Sequence, residues 1–149
     1  MIDIFNELKV ITFTLKQNNL EYALCGGLAM AVHSFPRATI DIDIIVLSKD
    51  ILRLKNILAD LGYILESAPM SFSNGIIKMD RISKKDNDSE DFLSVDIIEV
   101  TKQLKTVWNT KIDYNWENGI ISVISKEGLI YMKQLRGSGQ DQDDIKKLK

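Results

Sequence analysis

The stretch RATIDIDIIV, residues 37–46, decides how the chain is read. Ile40, Ile42, Ile44, Ile45 and Val46 form a β-branched run that predicts a buried strand. Asp41 and Asp43 interrupt it two residues apart. Alternate residues of a strand point to opposite faces, so both carboxylates lie side by side on one face. They repel each other there, and burying either without a partner costs several kcal/mol or raises its pKa. A strand written this way calls for a cation.

Outward from this strand, the chain punctuates itself. Ile4, Leu8, Ile11 and Leu15 recur at helical spacing and predict a helix over residues 3–18. A short strand YALC follows, then Gly26 and Gly27, then the helix-forming run LAMAVHSF up to Pro36. Beyond the acidic strand, Ser48 is the expected N-cap of a helix whose apolar face is Ile51, Leu54, Leu58 and Leu61, ended by Gly62. YILES and NGIIKMDRIS read as strands, KKDNDSED as a polar loop, FLSVDIIEV as a strong strand carrying Asp96, and TKQLKTVW as a short helix. Asn118-Gly119 marks a hairpin, and Ser125 opens a final helical pair divided near Gly137 and Gly139. Helices mixed with strands, joined both by helices and by hairpins, predict an α+β fold with a mixed central β-sheet flanked by helices.

Length and composition set the outer bounds. At 149 residues the chain fits one domain, 1–149, large enough to bury a core without disulfides or structural zinc. A net charge of −2 argues against a protein that coats nucleic acid without specificity. Cys25, the lone cysteine, has no internal disulfide partner and reads as a small buried strand residue. No apolar run approaches the ~20 residues of a membrane span, and a cytoplasmic protein is expected.

If the strands of Asp41, Asp43 and Asp96 pair, three carboxylates gather in an apolar setting. Such a cluster suits magnesium, which takes oxygen ligands and commonly joins one or two carboxylates to substrate phosphates. The plain alternative has each aspartate at a strand end, facing solvent or a lysine. The glycine pair tips the balance, because amides at the start of a helix, with no side chain in the way, can cradle phosphate oxygens.

The combination of strand, Gly26-Gly27, short helix, HSFPRAT, DID in a buried strand and a distant VDII resembles the nucleotidyltransferase superfamily with the polymerase-β-like fold. Within it, AVHSFPRATIDIDI looks most like the bacterial AbiEii-type toxins and related small nucleotidyltransferases. Ser34 stands where that pattern often has glycine, and Gly27 where many transferases have serine. The resemblance implies a transferase moving a nucleoside monophosphate from a triphosphate such as ATP to a hydroxyl acceptor. That acceptor is RNA in toxin-like members or a small antibiotic-type compound in others. It also implies Asp41, Asp43 and Asp96 as catalytic metal ligands for Mg2+, two ions in number, with Mn2+ as a substitute. Gly26, Gly27, Arg37 and Lys133 fall at the nucleotide, and Arg136, Asp141 and Asp144 along the same wall. An antitoxin protein partner and a monomeric or homodimeric state belong to the same expectation. A non-catalytic nucleotide- or partner-binding module of the same fold is the competing class. His33, the only histidine, carries no catalytic assignment.

Overall fold

The structure, a computed structural model, describes residues 2–33, 41–117 and 119–149. Asp3 caps the first helix, α1 (Ile4–Gln17), its carboxylate accepting from the amides of Phe5 and Asn6. Leu8, Ile11 and Leu15 form the buried stripe predicted from their spacing. Strand β1 (Ala23–Cys25) leads through Gly26 into the short helix α2 (Gly26–Val32). The acidic strand β2 is Asp41–Val46, and α3 spans Ile51–Asp60. Strands β3 (Leu65–Glu66), β4 (Met70–Phe72), β5 (Ile77–Lys85) and β6 (Phe92–Glu99) follow. Helix α4 (Lys105–Asn109), the hairpin β7 (Ile112–Trp116) and β8 (Gly119–Val123), and helices α5 (Lys126–Arg136) and α6 (Gly139–Leu148) complete the order.

The strands make one mixed sheet in the order β3-β5-β6-β2-β1-β8-β7, with β4 beside the same edge of β5 as β3. The acidic strand sits near its middle, parallel to β6 and antiparallel to β1. That position explains its isoleucines: Ile42, Ile44, Ile45 and Val46 have no exposed surface and belong to one continuous core. Each such side chain contributes about 1.5–3 kcal/mol on removal from water, so the strand is anchored firmly around its two aspartates. Tyr63 and Lys84 both bond Glu7, at 2.8 and 2.5 Å, tying α1 to β5.

Several expectations are corrected. Ser48 does not cap α3 through its side chain; it opens a 3-10 turn, Ser48–Asp50, that runs into the helix. YILES contributes only two strand residues, and β4 forms in a segment left without an element. Its hairpin to β5 turns through Ser73, Asn74 and Gly75, all at positive φ, a conformation asparagine and glycine tolerate well. β5 runs two residues into the expected polar loop because Lys84 and Lys85 pair with Leu93 and Phe92 of β6. The short helix after β6 starts as a 3-10 turn, Lys102–Leu104. Arg37 and Asn118 lie outside the described residues.

Candidate functional site

Strand register builds the site. Cys25 of β1 pairs with Asp43 of β2, Asp43 with Asp96 of β6, and Asp96 with Arg81 of β5. These four residues form a row across the sheet, and residues opposite one another on paired strands project to the same side. Asp41, two positions before Asp43, shares that face. All five line a cavity of about 420 Å3. The three aspartates predicted from two separate strands therefore converge, as their apolar settings required.

Arg81 provides the cation that the acidic strand called for. Its Nε donates to Asp96 Oδ1 at 2.7 Å and its Nη2 to Asp96 Oδ2 at 3.0 Å, a two-pronged hold. The same Nη2 lies 3.4 Å from Asp41 Oδ2. One guanidinium does not neutralise three carboxyl groups. Burial, then the charge of Asp96 and a hydrogen bond with it, push Asp43 up to about 8. Asp41 is raised by burial and Asp96, with Arg81 opposing. Burial, then the charges of Asp43 and Asp96, hold the Cys25 thiol well above its ordinary range, which makes it an inert wall residue.

Gly26 makes room for this arrangement. Its φ is +65°, and a Cβ there would lie 1.8 Å from Asp43 Oδ2. Only glycine leaves the carboxyl its place. Gly26 lines the cavity, whereas Gly27 is buried within α2.

The donor set suits a hard divalent cation: the cluster offers carboxylate oxygens, and an arginine nitrogen already sits between two of them. Among the described residues, no three acidic, histidine or cysteine side chains are gathered ready to hold a metal ion.

On the opposite wall, Lys133 reaches the cavity but is not turned wholly to it. Its Nζ lies 2.9 Å from Asp144 Oδ2 and 3.7 Å from Asp141 Oδ1, and its side chain is 3% exposed. Gln140 donates to the other oxygen of Asp144. Asp141 also closes a capping box with Ser138 at the start of α6. Arg136 lines the cavity and is half exposed, its Nε 3.7 Å from Asp141. His33 stands apart: its Nε2 is 3.0 Å from the Ile124 carbonyl and its ring meets Tyr114 edge-on.

Sequence reasoning missed Arg81 and the apolar wall. Ile77, Met79 and Arg81 alternate along β5 onto the cavity face, joined by Met70 and Phe72 from β4. The signal lay in the period-two pattern of IKMDR, legible only once β5 was paired to β6.

No family model matches the chain, and no curated protein matches it in sequence. Solved structures do match in shape. A candidate nucleotidyltransferase from Thermotoga maritima superposes with a TM-score of 0.66 at 18% identity, over 99% of this chain and 94% of that one. The antibiotic-resistance enzyme ANT(2")-Ia, solved with adenylyl-2"-tobramycin, gives 0.64 at 13% identity, over 96% and 86%. An antigenic nucleotidyltransferase-like protein from Paracoccidioides brasiliensis gives 0.57 at 17%, over 93% and 72%. The chain has the nucleotidyltransferase fold, a mixed α+β sheet flanked by helices. No described helix is long and apolar enough to cross a membrane.

Proposed function

We propose that this protein is a metal-dependent nucleotidyltransferase, moving a nucleoside monophosphate from a triphosphate to a hydroxyl acceptor. The observation that carries the reading is the convergence of Asp41, Asp43 and Asp96 on one cavity that also receives Arg81, Lys133 and Arg136. Carboxylates to hold a cation and basic groups to meet phosphate thus face one another. Asp41, Asp43 and Asp96 would hold magnesium or manganese. When bound, such a cation offsets phosphate charge and stabilises both the entering and leaving oxygens of an in-line displacement.

The chain's own groups supply the rest. Asp96, buried and held by the pairing of β6 with β2, would accept the proton of the acceptor hydroxyl. Gly26 keeps the backbone beside Asp43 free of a side chain, so phosphate can approach closely. Arg136 offers a mobile, half-exposed charge for the phosphates, while Lys133 contributes from within its ion pairs. Met70, Phe72 and Met79 form an apolar wall against which a nucleobase can lie.

The acceptor divides the reading. The AbiEii-like motif favours an RNA acceptor, with an antitoxin as protein partner. The likeness in shape to an enzyme solved with an adenylylated aminoglycoside favours a small hydroxyl compound. Incubation with each labelled triphosphate and magnesium, first with total RNA and then with small hydroxyl compounds, decides between them. Label on neither, with no magnesium-dependent triphosphate binding by calorimetry, would return the protein to the class of non-catalytic modules.

A further inference from the structure

Arg81 stands where the proposed metal must come. Both oxygens of Asp96 accept from its guanidinium, at 2.7 and 3.0 Å, and the same Nη2 faces Asp41 at 3.4 Å. A cation that used Asp96 and Asp41 together would have to take over at least one of these contacts. The carboxylates cannot serve both at full strength, because each lone pair given to guanidinium is withdrawn from a metal. Arg81 is also free to leave. Its side chain is 36% exposed, against 5% for Asp96, and it reaches the cluster from a long stem at the cavity wall. The carboxylate is fixed and the arginine is not.

We propose that Arg81 is a displaceable counter-cation: it holds Asp96 and Asp41 at rest and is exchanged for metal only when a triphosphate arrives to receive the guanidinium. This rests on the nucleotidyltransferase reading and adds an ordering to it. Metal alone must break the Arg81–Asp96 fork without replacing it. Metal with triphosphate lets the fork re-form on phosphate, to which guanidinium is equally suited. The site is thereby guarded against loading with metal in the absence of nucleotide.

The test is a calorimetric titration with Mn2+, with and without a non-hydrolysable triphosphate, on the full chain. In Arg81→Met, affinity for Mn2+ alone rises roughly tenfold while the gain on adding triphosphate shrinks. Arg136→Met controls for simple loss of positive charge, since Arg136 lines the same cavity and pairs with Asp141. An equal rise in both variants, or no rise in Arg81→Met, overturns the displacement while leaving the nucleotidyltransferase reading intact. If no protein binds Mn2+ even with every triphosphate, the reading itself falls and takes this proposal with it. Should Arg81→Met fail to fold, Arg81→Lys keeps the charge without the fork. Its affinity for Mn2+ alone then rises about threefold, and unchanged affinity overturns the exchange.

Discussion

Two charged clusters border the same cavity, and they are built on different principles. At the turn between α5 and α6, Lys133 pairs with Asp144 and Asp141, Arg136 approaches Asp141, and Ser138 and Gln140 occupy further carboxylate oxygens. Its charges are matched and its core is closed from water. Around β2, Asp96 and Asp41 share Arg81 among the described residues, and burial together with the charge of Asp96 pushes Asp43 up beside them. Matched charge in a dry setting is a structural joint. Carboxyl groups raised by burial and by one another at an open cavity mark a site suited to a ligand. Lys133, expected from sequence to meet a triphosphate, belongs first to the joint.

The sharpest way to break this contrast is Lys133→Met. Removing one member of a buried ion pair strands the other, and the expected loss is about 3–5 kcal/mol of stability, read by denaturant unfolding. A loss below 1 kcal/mol would mean that the joint is not one. Gly26→Ala comes next. A β-carbon 1.8 Å from Asp43 Oδ2, at φ +65°, must displace the carboxyl. The expected loss is about 1–2 kcal/mol from the left-handed backbone, together with at least a roughly tenfold loss in combined metal and triphosphate affinity. Unchanged affinity would remove Asp43 from the ligand set. The more conventional Gly27→Val affects folding before binding, because Gly27 is buried within α2.

Asp43→Asn tests the raised carboxyl itself, and its effect depends on pH. The folded chain holds the Asp43 proton up to about 8, whereas an ordinary aspartate releases it near 3.8. Between those values the folded state binds more protons than the unfolded one, so stability falls as pH rises through this window. Asparagine has no such proton to lose. Asp43→Asn therefore gains nothing below about pH 4, gains increasingly towards pH 8, and is flat above. Thermal melts at pH 4, 6 and 8.5 trace the curve. A gain independent of pH would show that Asp43 is not protonated in the folded chain.

How far the sequence carried this picture depended on the range of the interactions. The buried β2 strand and the shared face of Asp41 and Asp43 followed from alternation and a β-branched run, whereas the arrival of Asp96 beside them was expected on condition that its strand pairs with β2, as it does. Gly26 was singled out for phosphate, and the close approach it permits is first of all to Asp43. Arg81 was invisible because its partner is set by the β5–β6 register, fifteen residues away through a polar loop. The setting of Lys133 was hidden for a similar reason: Asp141 and Asp144 were placed along the same wall, but only the α5–α6 turn shows that they pair with it. Local pattern names which residues are charged among apolar neighbours. Pairing across elements decides which of those charges remain to be answered.

The smallest predicted effect examines whether the joint and the site are independent. Ser138 accepts from the Asp141 amide at 3.1 Å and donates to its carboxylate at 2.6 Å, while the Ser138 amide bonds the same oxygen at 3.2 Å. Ser138→Ala removes the side-chain half of this capping box and is expected to lower stability by about 1 kcal/mol. Asp141 keeps its backbone bond and its neighbours Lys133 and Arg136, so the joint should loosen without opening. Calorimetry with Mn2+ and triphosphate should then give the wild-type affinity within about twofold, since sites without shared partners add independently. If affinity falls further although the fold holds, the orientation of α6 reaches the acidic cluster through Lys133. The two clusters would then be a single unit spanning the cavity.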